Sequence, residues 1–224
     1  MPEEPQPRTV GAPAHGARAA VRRAGVTGAA VRRATADDVP ELARTLARAF
    51  FDDPIACWSC KPDRLRLRML ERFYAIRLRQ VLRHDEVWVE EGLAGGALWL
   101  PPDRWRTTPR EDAELARCQL HPRMLPRLPM VAWGFTGIER RHPPSPSHWY
   151  LAILGTDPAA QGRGIGSALL RAVLDRCDED GVAAYLESSK EANIAFYARH
   201  GFRVTEEVRL PRGPQAWLMW REPR

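Results

Sequence analysis

The chain has 224 residues, enough for one domain of ordinary size with extensions. Its 44% hydrophobic and 28% charged residues are typical of a globular domain, and no stretch approaches the roughly 18 apolar residues of a membrane span. The net charge of +6 is concentrated in residues 1–34, where six arginines oppose two glutamates, so it indicates no specific nucleic-acid partner. Because Glu3 and Glu4 replace the apolar part of a secretory signal, we expect a cytoplasmic location and no membrane association.

The four cysteines do not predict a metal site. Cys57 and Cys60 have the spacing of half a zinc site or of a redox pair. A structural zinc ion needs two further ligands at suitable spacing, and the sequence offers none. A redox pair is expected at the start of a helix that follows a strand, and that context is missing. We therefore expect reduced thiols and no bound metal.

The first elements open a single domain over residues 30–224. Residues 1–29 are rich in Pro, Gly, Ala and Arg without an apolar period, which predicts a disordered tail. A strand is predicted at 30–33. Thr35 then caps a helix that carries an apolar face up to Phe50.

The rest of the chain predicts a mixed α/β sheet. A helix over 62–82 precedes a hairpin of strands 87–90 and 96–100. Residues 103–146 are polar, Pro-rich and partly helical, which is typical of a variable insertion. The remaining predicted elements are a strand at 149–154, a helix that ends at Gly181, a strand at 183–187, a helix at 191–200, and strands at 202–208 and 215–220. This alternation favours helices packed on a sheet.

Three glycines, at positions 162, 164 and 166, stand between the strand 149–154 and the next helix. Glycine lets a backbone turn steeply and approach a ligand closely, and the start of a helix favours a phosphate group. Arg163 adds a charge that suits a diphosphate. The spacing G-x-G-x-G differs from the dinucleotide pattern G-x-G-x-x-G, and the Gly-Lys-Ser/Thr of a Walker loop is absent. A plain structural turn remains the alternative.

The same loop carries a family resemblance. Gln161-Gly-Arg-Gly-Ile-Gly166 matches the Gln/Arg-x-x-Gly-x-Gly/Ala signature of the GNAT N-acetyltransferases. Residues 151–158 resemble that family's splayed strand and its terminating proline, and residues 193–202 resemble its late helix, which ends in Tyr-x-x-x-Gly-Phe. From about residue 30 onward the chain also resembles puromycin N-acetyltransferase and its actinobacterial relatives, with the weakest likeness across 103–146.

The resemblance implies the GNAT fold. In that fold a central mixed, mostly antiparallel twisted sheet of about six or seven strands is flanked by about four or more helices. The sheet is splayed at the strand that binds acetyl-CoA. Residues 103–146 would then be an insertion on the acceptor side of the domain.

The resemblance also implies a binding site for acetyl-CoA without a metal. The backbone of Leu154, Gly155 and Thr156 would pair with the pantetheine arm, and a peptide N–H there would polarise the thioester carbonyl. Asn193 matches a position that contacts the cofactor near the pantetheine. The pyrophosphate would be held by Gln161, Gly162, Arg163, Gly164, Ile165, Gly166 and Ser167.

Two side chains are implied as catalytic. Tyr197 matches the family's general acid, which protonates the sulfur of CoA; its alternative is an aromatic ring packed on the inner face of its helix. Glu187 ends the strand before that helix and would act as general base, directly or through a water molecule. Its alternative is a solvated carboxylate. His200 could also serve as a base, although a His in the last turn of a helix is typical of a surface position.

The implied activity is acetyl transfer from acetyl-CoA to the primary amine of a small molecule, antibiotic-like or metabolite-like, by direct attack in a ternary complex. A protein or peptide N-acetyltransferase and a non-catalytic acyl-CoA-binding sensor are the alternatives. Trp58, Trp105 and Trp133 lie in the segments where this family builds its acceptor pocket, and they would form an aromatic wall there. Asp52 and Asp53 could steer a cationic amine to this pocket, although Asp-Asp-Pro is equally typical of a turn. We expect a monomer or a homodimer.

Overall fold

The computed structural model describes residues 29–61, 63–118 and 120–224. The tail predicted to be disordered, residues 1–29, lies outside this part of the chain except for Ala29. In the part that is described, no helix is long and apolar enough to cross a membrane.

A seven-stranded sheet in the order β1-β2-β3-β4-β5-β7-β6 forms the centre of the domain. Its strands are β1 (Val31–Arg33), β2 (Val87–Glu90), β3 (Gly95–Leu100), β4 (His148–Thr156), β5 (Ala183–Ser188), β6 (Arg203–Arg209) and β7 (Gln215–Arg221). Only β4 and β5 run parallel, and every other neighbouring pair is antiparallel. The mixed, mostly antiparallel sheet implied by the resemblance is confirmed.

Seven α-helices accompany the sheet in the described residues. They are α1 (Val39–Ala49), α2 (Pro54–Ser59), α3 (Asp63–Leu82), α4 (Pro109–Arg117), α5 (Leu128–Glu139), α6 (Ile165–Asp180) and α7 (Ile194–Arg199). The sequence did not predict α2, because six residues are too few to show an apolar period. Its start is fixed by Asp53, whose carboxylate accepts the N–H groups of Ile55 (2.9 Å) and Ala56 (3.1 Å).

The two faces of the sheet bury different helices. On one face, α1 and α3 pack against Leu98 and Leu100 of β3. On the other face, α6 packs against Ala97 and Trp99 of the same strand, together with residues of β4, β5 and β7. This alternation along β3 follows from the two-residue repeat of a strand. Both faces are therefore covered by helices. Helix α7 adds Tyr197 to the core on the α6 side.

A β-bulge at Ala152 separates β4 from β5. Leu98 of β3 pairs with Ile153 and Trp99 pairs with Leu151, so Ala152 is an extra residue in β4. The pairing of β4 with β5 ends at Leu151, although β4 continues to Thr156. Because a bulge bends its strand, β4 turns away here and a cleft opens between the two parallel strands. This is the splay that the resemblance implied.

Two paired glycines let α1 lie directly on the β3–β4 ladder. Gly96 and Gly155 are opposite each other in the two strands. A Cβ atom on Gly96 would lie 2.9 Å from a methyl group of Leu42, and one on Gly155 would lie 2.8 Å from a methyl group of Leu46. A side chain at either position would push α1 away from the sheet.

We expect Gly155→Ala to lower the free energy of unfolding by about 1–3 kcal/mol, because the added methyl group overpacks the contact between α1 and β4. Gly137→Ala in α5 is the control, since a Cβ there would meet only a guanidinium nitrogen of Arg141 at 3.9 Å. Because Ala has a higher helix propensity than Gly, the stability of that variant should be unchanged or raised by up to about 1 kcal/mol. Urea denaturation measures both values, and equal stabilities would contradict the close packing described above.

Candidate active site

Two cavities meet where β4 and β5 separate. The larger cavity, of about 680 Å³, lies between the ends of these strands and is called the strand cleft here. The smaller cavity, of about 260 Å³, lies between α1, α2, α3 and α5 and is called the inner chamber. Six residues line both: Phe50, Asp53, Ala152, Ile153, Glu187 and Ser189. The two cavities therefore adjoin along these six residues.

The glycine loop forms one end of the strand cleft. Gly162 and Gly164 have φ angles of +78° and +79°, which a residue with a side chain rarely adopts. A Cβ on either would meet no atom within 4 Å, so the space beside the loop is open. Gly164 is also the N-cap of α6. The unpaired N–H groups of the first turn, with the positive end of the helix dipole, make this end of the cleft suitable for an anion.

All but one of the predicted cofactor residues line the strand cleft. Those that do are Leu154, Gly155, Thr156, Gln161, Gly162, Gly164, Ile165, Gly166, Ser167 and Asn193. The exception is Arg163, whose guanidinium points at the carbonyl of Ala159 at 3.4 Å. Two other cations, Lys190 and Arg199, line the cleft instead. The sequence does not single them out, because Arg199 occupies an unspecified position of the Tyr-x-x-x-Gly-Phe motif and Lys190 precedes that helix.

The exposed edge of β4 forms a wall of the cleft. Beyond Leu151, the strand pairs with β3 on one side and no longer with β5 on the other. Peptide groups of residues 152–156 on that second side are therefore available to the cleft. An extended chain with amide groups can bind such an edge in the way an added strand does.

Tyr197 lies on α7, where its side chain belongs to the core on the α6 side of the sheet and also lines the cleft. Its ring packs against Phe196 and Phe202, at centroid distances of 5.2 Å and 6.0 Å. Burial raises the pKa of Tyr197 well above its usual value, and the negative charge of Asp53 acts in the same direction. The hydroxyl therefore keeps its proton at neutral pH and can donate it.

Glu187 lies at the junction of the two cavities. Its side chain is only 14% exposed, so it is not the solvated carboxylate considered above as an alternative. One carboxylate oxygen accepts the hydroxyl of Tyr150 at 2.6 Å. Burial and the nearby charge of Glu187 raise the pKa of Tyr150, so Tyr150 remains the donor in this hydrogen bond. The carboxylate is held in one position, facing both cavities.

His200, the other candidate base, lies behind the glycine loop and away from Glu187. Its Nε2 atom is 3.0 Å from the hydroxyl oxygen of Ser167. Burial lowers its pKa, and neighbouring arginines lower it further. Its contact with Ser167 suits a role in orienting the hydroxyl group of that residue.

Phenylalanine and tyrosine residues supply the aromatic wall of the inner chamber. They are Phe50, Phe73, Tyr74, Phe135 and Tyr150. The predicted wall of tryptophans is wrong. Trp58 is buried but does not line the chamber, and its indole N–H donates a hydrogen bond to the carbonyl oxygen of Pro211 at 3.1 Å. Trp133 is 68% exposed, and Trp105 stacks on His142. A sequence segment does not reveal which of its aromatic rings face inward.

The two aspartates predicted to attract a cation have different environments. Asp52 is on the surface, 2.8 Å from the ammonium group of Lys190. Asp53 is buried, accepts the hydroxyl of Ser189, and lines both cavities. Asp53 and Glu187 are the only acidic residues that line the chamber, and both lie at its junction with the cleft.

No metal centre accompanies these groups in the described residues. There, no three His, Cys, Asp or Glu side chains are grouped to hold a metal ion. The four cysteines are free thiols, and the sulfur of Cys60 lies 3.2 Å from that of Met69.

Comparisons with known proteins agree with the fold and the loop. The family model of the acetyltransferase (GNAT) family matches residues 130–202. An uncharacterized N-acetyltransferase of Schizosaccharomyces pombe is 29% identical over 213 residues, which cover 87% of this chain and 83% of that protein. The N-alpha-acetyltransferase RimI of Mycobacterium tuberculosis is 37% identical over 92 residues, which cover 40% of this chain and 58% of the relative.

The structural comparison extends over almost the whole domain. A crystal structure from Corynebacterium glutamicum, described as a histone acetyltransferase HPA2 and related acetyltransferase, superposes with a TM-score of 0.62. It is 26% identical and covers 87% of this chain and 96% of its own. The splayed sheet, the glycine loop and these similarities together support an acyltransferase with a GNAT-like fold.

Proposed function

We propose that this protein transfers an acetyl group from acetyl-CoA to the primary amine of a small molecule with an apolar or aromatic body. The observation that carries the proposal is the meeting of the strand cleft and the inner chamber at Glu187. One cavity suits an extended, phosphorylated donor, and the other suits a compact acceptor. The reaction needs both reactants side by side, because the amine attacks the thioester directly.

The strand cleft fits CoA, the acetyl carrier that the GNAT family uses. Gly162 and Gly164 leave open space beside the start of α6, where a pyrophosphate would be held. The amide groups of pantetheine match the unpaired edge of β4 beyond Leu151. The thioester supplies an activated acetyl group, and a peptide N–H of this edge would stabilise the negative charge that develops on its carbonyl oxygen. The role of Arg163 at the pyrophosphate remains a prediction.

The inner chamber favours an amine with one charged end. Its walls are aromatic and aliphatic, while its two carboxylates, Asp53 and Glu187, lie at the junction with the cleft. An ammonium group is attracted to this junction, and an apolar body fills the rest of the chamber. If the acceptor carried a second positive charge, that charge would lie at the far end of the chamber, where no acidic lining residue could pair with it. The chamber does not point to puromycin in particular.

Glu187 and Tyr197 take the two proton-transfer roles. At neutral pH an alkylamine arrives as an ammonium ion and must lose a proton before it can attack. Glu187 is fixed by Tyr150 and faces the chamber, so it suits the general base, directly or through a water molecule. Tyr197 lines the cleft and is protonated at neutral pH, so its position suits the general acid that protonates the departing sulfur. The proton that the nitrogen loses after its attack on the thioester would restore the phenol.

A peptide acceptor is the second candidate. It is favoured by the similarity to an N-alpha-acetyltransferase over 40% of the chain. A peptide N-terminus also presents one amine, and a peptide with apolar first residues could place them in the inner chamber. Short peptides therefore belong in the same acceptor screen as small amines.

The first test is a screen of amines and peptides with acetyl-CoA, in which released CoA thiol is measured. We expect the highest kcat/KM for compact monoamines with apolar or aromatic bodies, and values at least about tenfold lower for diamines of the same length, because the second charge must be desolvated. A preference for peptides over all small amines would overturn the small-molecule assignment. No turnover with any acceptor, while CoA still binds, would contradict the proposed function.

A second test concerns the acid. Tyr197→Phe should lower kcat about 100-fold or more while KM changes little, because the lost proton donor acts only as the sulfur leaves. The control is an acetyl thioester of a more acidic thiol, which can leave as a thiolate without a proton. The defect should shrink with that donor. An equal defect with both donors would argue for a packing role of Tyr197.

A third test concerns the glycine loop. Gly164→Ala should weaken CoA binding at least about tenfold in calorimetry, because the residue needs φ > 0 and lies where the pyrophosphate is expected. Gly181→Ala is the matched control: it caps the other end of α6 with φ +67° and also has no atom within 4 Å of an added Cβ. Both variants should lose about 1–2 kcal/mol of stability, but only Gly164→Ala should lose CoA affinity. Equal CoA affinities would contradict a pyrophosphate site at this loop.

A further inference from the structure

Behind Glu187, two buried histidines extend the polar site toward the other end of β4. The Nδ1 atom of His142 lies 3.6 Å from a carboxylate oxygen of Glu187. The Nε2 atom of His142 lies 3.0 Å from Nε2 of His148, and Nδ1 of His148 lies 2.7 Å from the carbonyl oxygen of Pro146. Both rings are buried. The mechanism proposed above makes no use of them.

The partners fix which nitrogen of each ring carries a proton. The carbonyl oxygen of Pro146 can only accept, so Nδ1 of His148 must be protonated. Burial lowers the pKa of His148 and keeps it neutral, so its Nε2 is an acceptor. The hydrogen bond between the rings then requires a proton on Nε2 of His142. In a neutral His142, the Nδ1 atom that faces Glu187 therefore has no proton.

The long distance between His142 and Glu187 agrees with this assignment. At 3.6 Å it exceeds a normal hydrogen bond. Two acceptors, a ring nitrogen and a carboxylate oxygen, face each other across this gap. A proton placed on either of them would turn the gap into a charge-assisted hydrogen bond. The site is thus prepared to accept one proton.

We propose that His142 receives the proton that Glu187 removes from the substrate ammonium, an inference that rests on the proposed function. An N–H bond of the ammonium breaks as an O–H bond forms on Glu187. That O–H bond then breaks as an N–H bond forms at Nδ1 of His142, which becomes an imidazolium. The amine keeps its electron pair for attack, and Glu187 is again a carboxylate. The proton returns through Glu187 to solvent after the product leaves.

The surroundings of His142 suit a transient positive charge. Trp105 stacks on the ring at a centroid distance of 3.8 Å and an interplanar angle of 19°, and an aromatic face attracts a cation. From β4 and β5, the rings of Tyr150 and Tyr185 meet it at 4.8 Å and 4.6 Å. The titratable groups in contact with the network are Glu187, Tyr150, Tyr185 and His148. The charged groups that act on these residues are Arg77, Asp103, Glu139 and Glu206.

His142 is a positioning residue in this scheme, since it acts through Glu187. His142→Gln should lower kcat at pH 7 about tenfold or more for a basic alkylamine, with KM nearly unchanged. The β,β-difluoro analogue of the same amine is less basic, so a much larger fraction of it arrives neutral at pH 7. For this analogue the wild type and the variant should differ less than about twofold. His84→Gln, in the turn after α3 and outside the lining of both cavities, is the control and should behave as wild type with both amines.

The outcomes separate the possible roles. An equal loss with both amines would overturn the relay and assign His142 to packing. Unchanged kcat in His142→Gln would also overturn it while leaving the proposed function intact, because the wild type turns over in the same assay. If the wild type acetylates no amine, the proposed function fails instead.

A second measurement needs no variant and no substrate. Long-range proton–nitrogen NMR spectra of the unaltered protein report the tautomer of each histidine ring. We expect the proton on Nδ1 of His148 and on Nε2 of His142. A proton on Nε2 of His148 would overturn the relay whatever the kinetics show.

Discussion

The extra residue in β4 is the constraint on which the rest of the site depends. Because Ala152 has no partner in β3, the strand bends and leaves β5 after Leu151. The bend exposes a strand edge that a parallel sheet would otherwise bury. It also brings Glu187, which continues β5, to the opening of the inner chamber. The donor cleft and the acceptor chamber are thus two consequences of one local irregularity, and the glycine contact with α1 holds the bent strand in place.

Burial then determines the chemistry of the groups at this junction. Tyr197 and Tyr150 keep their protons because a phenolate would be poorly solvated there. Glu187 is held by a hydrogen bond from Tyr150, and His142 and His148 continue the polar chain behind it. A site of this kind can separate the removal of a proton from the amine and the delivery of a proton to the sulfur.

Local signatures made part of this structure predictable. The glycine loop, the strand before it and the helix that carries Tyr197 are contiguous segments, and each contains the residues that determine its own conformation. The loop residues accordingly line the cleft, apart from Arg163. The inner chamber was not predictable, because α1, α2, α3 and α5 contribute to it from distant positions and Trp58 packs outside it. His142 falls in residues 103–146, which the sequence predicts only as a variable insertion, since nothing in its neighbours indicates a partner on β5.

A crystal structure with a bisubstrate analogue, in which CoA is joined to the best amine acceptor, tests the central claim most directly. We predict that the pantetheine amides bond to the edge of β4 beyond Ala152 and the pyrophosphate contacts the N–H groups at the start of α6. The amine nitrogen should lie within hydrogen-bonding reach of Glu187, directly or through one water molecule, with the acceptor body in the inner chamber. An analogue whose acceptor part leaves the chamber empty, or whose pantetheine bypasses β4, would contradict the account.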